Sequence, residues 1–225
     1  MSPVLSAPTI TADASPWIPR SLKSLFEPRA VTNQCGGTGL YITNGGSNTQ
    51  TFKVFEGKWS INADPFGNPT TLAPKTSGAV TLPPGFIGHI QRGNLLPATW
   101  VEFNMVDGAA DGDVSLEMGC DGAATIQASA GSGGVLGFSK DINVGAPSDA
   151  YFNPKDVPTN FPGIATTATN VLDRTGDTLP AINANTLAYE QSVVTQSEVY
   201  LTGGSGTNQT IASDNCLLIT FYEGY

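Results

Sequence analysis

Glycoside hydrolysis needs only two carboxyl groups, one protonated and one ionised, held about 5 to 10 Å apart. This chain of 225 residues has 19 Asp and Glu, few enough to weigh by position. Glu102 stands in the run Thr99-Trp-Val-Glu-Phe-Asn-Met105, whose alternation predicts a strand. Period-two alternation puts Trp100, Glu102 and Asn104 on one face and Val101, Phe103 and Met105 on the other, so the first face is expected to look toward solvent or a cleft. A tryptophan beside a carboxyl suits a sugar platform, because the ring packs on the apolar face of a pyranose while polar neighbours bind hydroxyls. An ordinary solvated strand face is the alternative. Further on, Asp107-Gly-Ala-Ala-Asp111-Gly-Asp113-Val-Ser-Leu-Glu117 gathers more acids. It fails the calcium-loop template, since Ala109 and Met118 stand where oxygen ligands are required. A turn feeding a strand accounts for it, and its carboxylates are the best candidates for acid chemistry.

Other chemistries are thinly represented. His89 is the only histidine, which excludes multi-histidine metal sites and leaves little for a Ser-His-Asp arrangement, so a structural role is expected. Gly131–Gly134 lacks the helix and the Lys-Ser/Thr of a phosphate loop. No metal, nucleotide or other cofactor is therefore expected. Ten Lys and Arg against 19 Asp and Glu give a formal charge of −9, which would repel a phosphate backbone and argues against nucleic acid as a partner. No apolar run approaches the roughly 18 residues of a membrane span, and the start, MSPVLSAPTITADASPWIPR, lacks the continuous apolar core of a secretory signal. Low charge, abundant Ser, Thr, Gly and Asn, and a glycosylation sequon at Asn208-Gln209-Thr210 favour a secreted protein.

The elements that must carry these residues are short. Gly and Pro number 26 and 16, and only 13% of residues are charged, against about 25% in an ordinary soluble domain. That balance favours an all-β domain with many turns over a helical bundle. Strands are expected at Gly39–Thr43, Thr51–Phe55, Lys58–Asn62, Ala79–Leu82, Gly85–Gln91, Thr99–Met105, Asp113–Leu116, Ala123–Ala128, Gly134–Phe138, Glu198–Leu201 and Cys216–Tyr222, a pattern for a β-sandwich or flattened barrel. Residues 1–30 hold five prolines and read as an extended N-terminal arm or propeptide remnant, with residues 31–225 as the domain. Residues 141–185 read as a long functional or mobile loop, followed by a short helix around Thr186–Ser192 capped by Asn185. In a secreted domain the placement of Cys35 and Cys216 suggests a bridge between first and last strands. Cys120 is then the odd thiol, buried or free to pair between molecules, and a reducing compartment with three free thiols is the alternative.

The segment Pro97-Ala-Thr-Trp-Val-Glu102-Phe, followed by Gly112-Asp113-Val-Ser-Leu-Glu-Met-Gly119-Cys-Asp-Gly, resembles the thaumatin-like proteins, which carry a Leu-Ala-Glu-Phe strand and then Asp-Val-Ser-Leu-Val-Asp-Gly. Val31-Thr-Asn-Gln-Cys35 is similar to that family's mature start, whose first cysteine pairs with one near the C-terminus. The resemblance covers residues 31–128 and the last ten or so, while 129 to about 212 matches little. It implies a flattened antiparallel β-sandwich with an acidic cleft, and β-glucan binding, weak β-1,3-glucanase activity or a defence role. Carried over by position, Arg92 takes the family's Arg, Glu102 its Glu and Asp113 its first Asp. The next Asp falls on Met118, with Glu117 adjacent and Asp121 three residues on. A one-residue change turns a strand side chain to the opposite face, so Glu117 is not a direct replacement. Three cysteines also cannot build the family's cysteine-rich second region, which places the resemblance with short, cysteine-poor fungal or microbial members.

Two functions follow from the resemblance. The first is a secreted or wall-associated protein whose cleft, with Arg92, Trp100, Glu102, Asp113, Glu117 and Asp121, binds β-glucan or a host protein. The alternative is a β-1,3-glucan endohydrolase with Glu102 as general acid and Asp113 orienting or activating water. The missing second Asp favours binding, because hydrolysis needs both carboxyl roles. A monomer is expected, with Cys120 offering a route to a dimer.

Overall fold

Short apolar runs bounded by Gly, Pro, Asn and Asp pair into two sheets in the computed structural model, which describes residues 33–57, 63–106, 108–156, 169–176, 183–202 and 209–225. The expected arm over 1–30, the strand Lys58–Asn62 and the sequon at Asn208 lie outside the described residues. One sheet has five strands in the order β10 (Val135–Gly137), β8 (Gly122–Ala128), β12 (Cys216–Gly224), β1 (Gly39–Asn44) and β4 (Ser77–Thr81). The other has seven: β3 (Asp64–Leu72), β2 (Gln50–Glu56), β5 (Ile87–Arg92), β6 (Trp100–Asn104), β7 (Ala110–Ser115), β11 (Thr210–Ala212) and β9 (Gly131–Ser132). Pairing is antiparallel except between β1 and β12, which run parallel.

The sheets pack face to face as a β-sandwich. Alternation sends Leu40, Ile42, Ile126, Ile219 and Phe221 inward from the first sheet and Phe52, Ile90, Val101, Phe103 and Val114 inward from the second, into one core. Phe52 and Phe221 stack across the interface with ring centroids 4.8 Å apart. Burying each such side chain contributes about 1.5–3 kcal/mol. Gly112 brings β7 close to the facing sheet, for a Cβ there would meet the Glu102 carbonyl oxygen at 2.6 Å and Ile126 Cδ1 at 2.7 Å.

Several elements differ from the sequence reading. β3 is long although Pro65 and Pro69 interrupt it, and it lies at the sheet edge, where a missing N–H need not break the ladder. Glu198–Leu201 is not a strand; only Tyr200 makes a single parallel bridge, to Ser115. The helix, α1, spans Ala184–Val193, and its cap is Asn183, whose side-chain oxygen accepts the N–H groups of Asn185 and Thr186 at 3.1 and 3.2 Å. The described part of the 141–185 segment is anchored: Leu172 and Cys120 exchange backbone hydrogen bonds, and the Asn143 amide donates to the Cys120 carbonyl at 2.9 Å.

Cys35 and Cys216 form the expected disulfide, with Cα atoms 5.6 Å apart. The bridge fits an oxidising, extracellular location. Cys120 is fully buried, and burial pushes its thiol up to about 12. The route to a dimer through Cys120 is thereby closed in the folded protein, because the reactive thiolate is neither formed nor accessible. Among the described residues no helix is long and apolar enough to cross a membrane.

Candidate functional site

Alternation along four adjacent strands builds a row on the outer face of the seven-stranded sheet. Phe55 on β2 faces His89 on β5, His89 faces Glu102 on β6, and Glu102 faces Asp113 on β7. Side chains directly opposite in such pairs have Cβ atoms about 4.5–5.5 Å apart. The neighbouring row contains Lys53 opposite Gln91 and Trp100 opposite Ser115. On the other flank Ile87 faces Asn104, which faces Asp111.

This face is divided by exposure. Glu102, Asn104, Asp111 and Asp113 are half-buried, whereas His89, Gln91, Trp100 and Ser115 are buried. Burial pushes Glu102 up to about 8, and the charges of Asp113 and Glu117 add to the shift. Asp111 is raised as well, by burial. Glu102 therefore keeps its proton at neutral pH beside other carboxyl groups, the arrangement from which a general acid is made.

Glu117, expected in the cleft though not as a direct replacement for the family's Asp, lies close enough for its charge to act on Glu102. It shares the parity of Asp113 and Ser115, and Thr202 donates its hydroxyl to Glu117 Oε1 at 3.1 Å. Met118, at the family's Asp position, is the residue that turns away, packing with Leu96, Ala98 and Trp100 in a small second core.

The remaining expected site residues have other surroundings. Trp100 is only 2% exposed, stacks on His89 with centroids 3.6 Å apart, and donates its Nε1–H to Gln91 Oε1 at 2.7 Å. It has no open ring face for a pyranose. Arg92 and Asp121, expected to bind substrate, bind each other at 2.9 Å with side chains 8% and 7% exposed. Arg92 also donates to the carbonyls of Ala123 and Tyr222 and to Gln50 Oε1, while Asp121 accepts the Thr99 N–H. They tie β5 to β8 and β12. His89 is held neutral, pushed down to about 3 by burial against the weaker opposing effect of Gln91. No sequence signal marked it as a neighbour of Glu102; only the β5–β6 register does.

A concave region lies on the other sheet, away from the acidic row. A groove of about 410 Å³ runs beside β8, β10, β12 and α1, and its walls include Val135, Val144 and Val193, which are 61%, 71% and 42% exposed. Tyr189 on α1 braces it by donating its hydroxyl to the Ile142 carbonyl at 2.8 Å.

No protein-family profile matches the sequence, and no curated protein matches it. Among solved structures, the thaumatin-like xylanase inhibitor TLXI is similar at a TM-score of 0.38 and 12% identity, over 81% of this chain and 97% of that one. The protein elicitor MoHrip2 from Magnaporthe oryzae is similar at a TM-score of 0.36 and 13% identity, over 46% of this chain and 78% of that one. Likeness at this level carries no conclusion about activity.

Proposed function

We propose that this chain is a secreted thaumatin-like protein whose acidic sheet face binds β-glucan of a cell wall, or a host component, in a defence, effector or wall-associated role. The observation that supports the reading is the convergence of Glu102, Asp113 and Glu117 on one half-buried face, with Glu102 and Asp113 directly paired across β6 and β7. Such carboxyl groups, one protonated, offer both donors and acceptors to sugar hydroxyls. Arg92, Asp121 and Trp100 take no part in this version of the site. Co-sedimentation with insoluble β-1,3-glucan tests it: the wild type pellets with the polymer, and the double substitution Glu102→Gln with Asp113→Asn weakens binding about tenfold or more. Equal pelleting of the two proteins would remove the acidic face from the binding site.

The proton held by Glu102 favours hydrolysis as a second reading. An endohydrolase would use Glu102 as the acid for the leaving oxygen and Asp113 to direct water. Its reducing-sugar release would fall as pH rises through about 8, where Glu102 loses its proton, and would vanish in Glu102→Gln. A wild type that pellets with glucan yet releases no sugar rejects hydrolysis and leaves binding.

A further inference from the structure

The His89 imidazole is clamped in the outer face of the sheet. Phe55 from the strand on one side lies nearly parallel to it, with centroids 4.9 Å apart and planes 12° apart, and Trp100 from the strand on the other side lies at 3.6 Å and 11°. The residue is 2% exposed, and its Nδ1 has no hydrogen-bond partner among the described residues. A buried polar atom of this kind is costly to leave unsatisfied. Gln91 hydrogen-bonds the imidazole as well as taking the Trp100 N–H on its Oε1 and donating from its Nε2 to the Leu95 carbonyl at 3.1 Å, and none of these bonds reaches Nδ1. Directly across the β5–β6 pair stands Glu102.

We propose that His89 is a positioning residue for Glu102: its Nδ1 accepts a hydrogen bond from one water that in turn accepts the Glu102 carboxyl proton, and so fixes where Glu102 presents that proton. The importance of this bond for function rests on the acidic face being the working site; the bond itself does not. Donor and acceptor have the right protonation at neutral pH, for Glu102 holds its proton up to about 8 and His89 takes one only near 3. Among the described residues, the other charged groups on this face are Asp113 and Asp111 on β7, Glu117 beyond its end, and Lys53 on β2. Lys53 is turned aside, donating to the carbonyl of Gly67. Asp113 and Glu117 supply repulsion that helps keep Glu102 neutral.

The full chain is the test, because its single histidine makes the imidazole nitrogen resonances unambiguous. Carbon-13 carboxyl NMR, with Glu102 assigned by its loss in Glu102→Gln, follows the Glu102 titration. His89→Phe keeps an aromatic ring in the stack and removes the acceptor. A hydrogen bond to the neutral form holds a carboxyl pKa up, so the Glu102 midpoint is expected to drop by about half to one pH unit in His89→Phe. His89→Gln, which restores a side-chain oxygen, should recover most of that drop. An unchanged midpoint in folded His89→Phe overturns the proposal. Should His89→Phe fail to fold, the Nδ1 nitrogen-15 shift decides: it changes in Glu102→Ala if the bond exists, and an identical shift overturns it. None of these readouts depends on glucan, so failure of the binding or hydrolysis reading is seen separately.

Discussion

Asp121 is a carboxyl group in a space that disfavours its charge: burial raises its pKa, against the lowering effects of Arg92 and Thr99. Its carboxylate meets the Arg92 guanidinium at 2.9 Å and the Thr99 N–H at 3.0 Å, and Arg92 in turn lies 5.0 Å over the Phe221 ring. Removing one partner leaves the other as an uncompensated buried charge, so Asp121→Ala is expected to lower the unfolding free energy by about 3–5 kcal/mol, read as a shift in the urea midpoint. A substrate-binding role alone would leave that midpoint in place. At this scale the sequence was informative wherever the cause is local. Alternation set Glu102 opposite in sense to Val101 and Phe103, as found. It could not reveal that Trp100 is covered, because the cover comes from Leu96, Ala98 and Met118, which approach it only in the folded chain.

α1 holds its place through an unusual contact. Thr186 donates its hydroxyl to the Ala150 carbonyl at 2.7 Å, and one turn later Glu190 is buried with neither carboxyl oxygen bonded among the described residues. Burial first, and the charge of Asp173 second, raise its pKa well above the ordinary 4.5. Between its unfolded and folded values the native state keeps a proton that the unfolded chain has lost. This contribution is complete below about 4.5 and is lost as pH rises, at up to about 1.4 kcal/mol per pH unit. Glu190→Gln should therefore gain stability over the wild type from about pH 5 to about pH 7, measured by urea unfolding at both. A difference between the two proteins that does not grow with pH would contradict the buried, neutral Glu190. The helix itself was readable from its capping chemistry, but Asn183 and Asn185 are two residues apart and both can cap; the choice falls to Asn183, whose amide also reaches the Asp149 carbonyl and Asp173. β3 was missed for the opposite reason, since its prolines read as breakers until the edge position is known.

The whole molecule is closed by one covalent link between residues 181 positions apart. By loop-closure reasoning a link over such a span stabilises by about 5 kcal/mol. Reduction should lower the urea midpoint markedly, while Cys120 stays unlabelled by a thiol reagent until the protein unfolds; rapid labelling of the native protein would contradict its burial. The turn-rich β architecture was legible from composition and punctuation, and the Cys35–Cys216 pairing from placement. The distribution of strands between two sheets was not, for it depends on pairings between distant segments. One such pairing governs how the molecule can be made. β12, last in chain order, occupies the middle of the five-stranded sheet, between β8 and β1. A chain delivered from its N-terminal end therefore carries β1 and β8 without their shared neighbour until the final strand arrives. Assembly of that sheet therefore waits on β12, and the two strands that flank it cannot complete their ladders earlier.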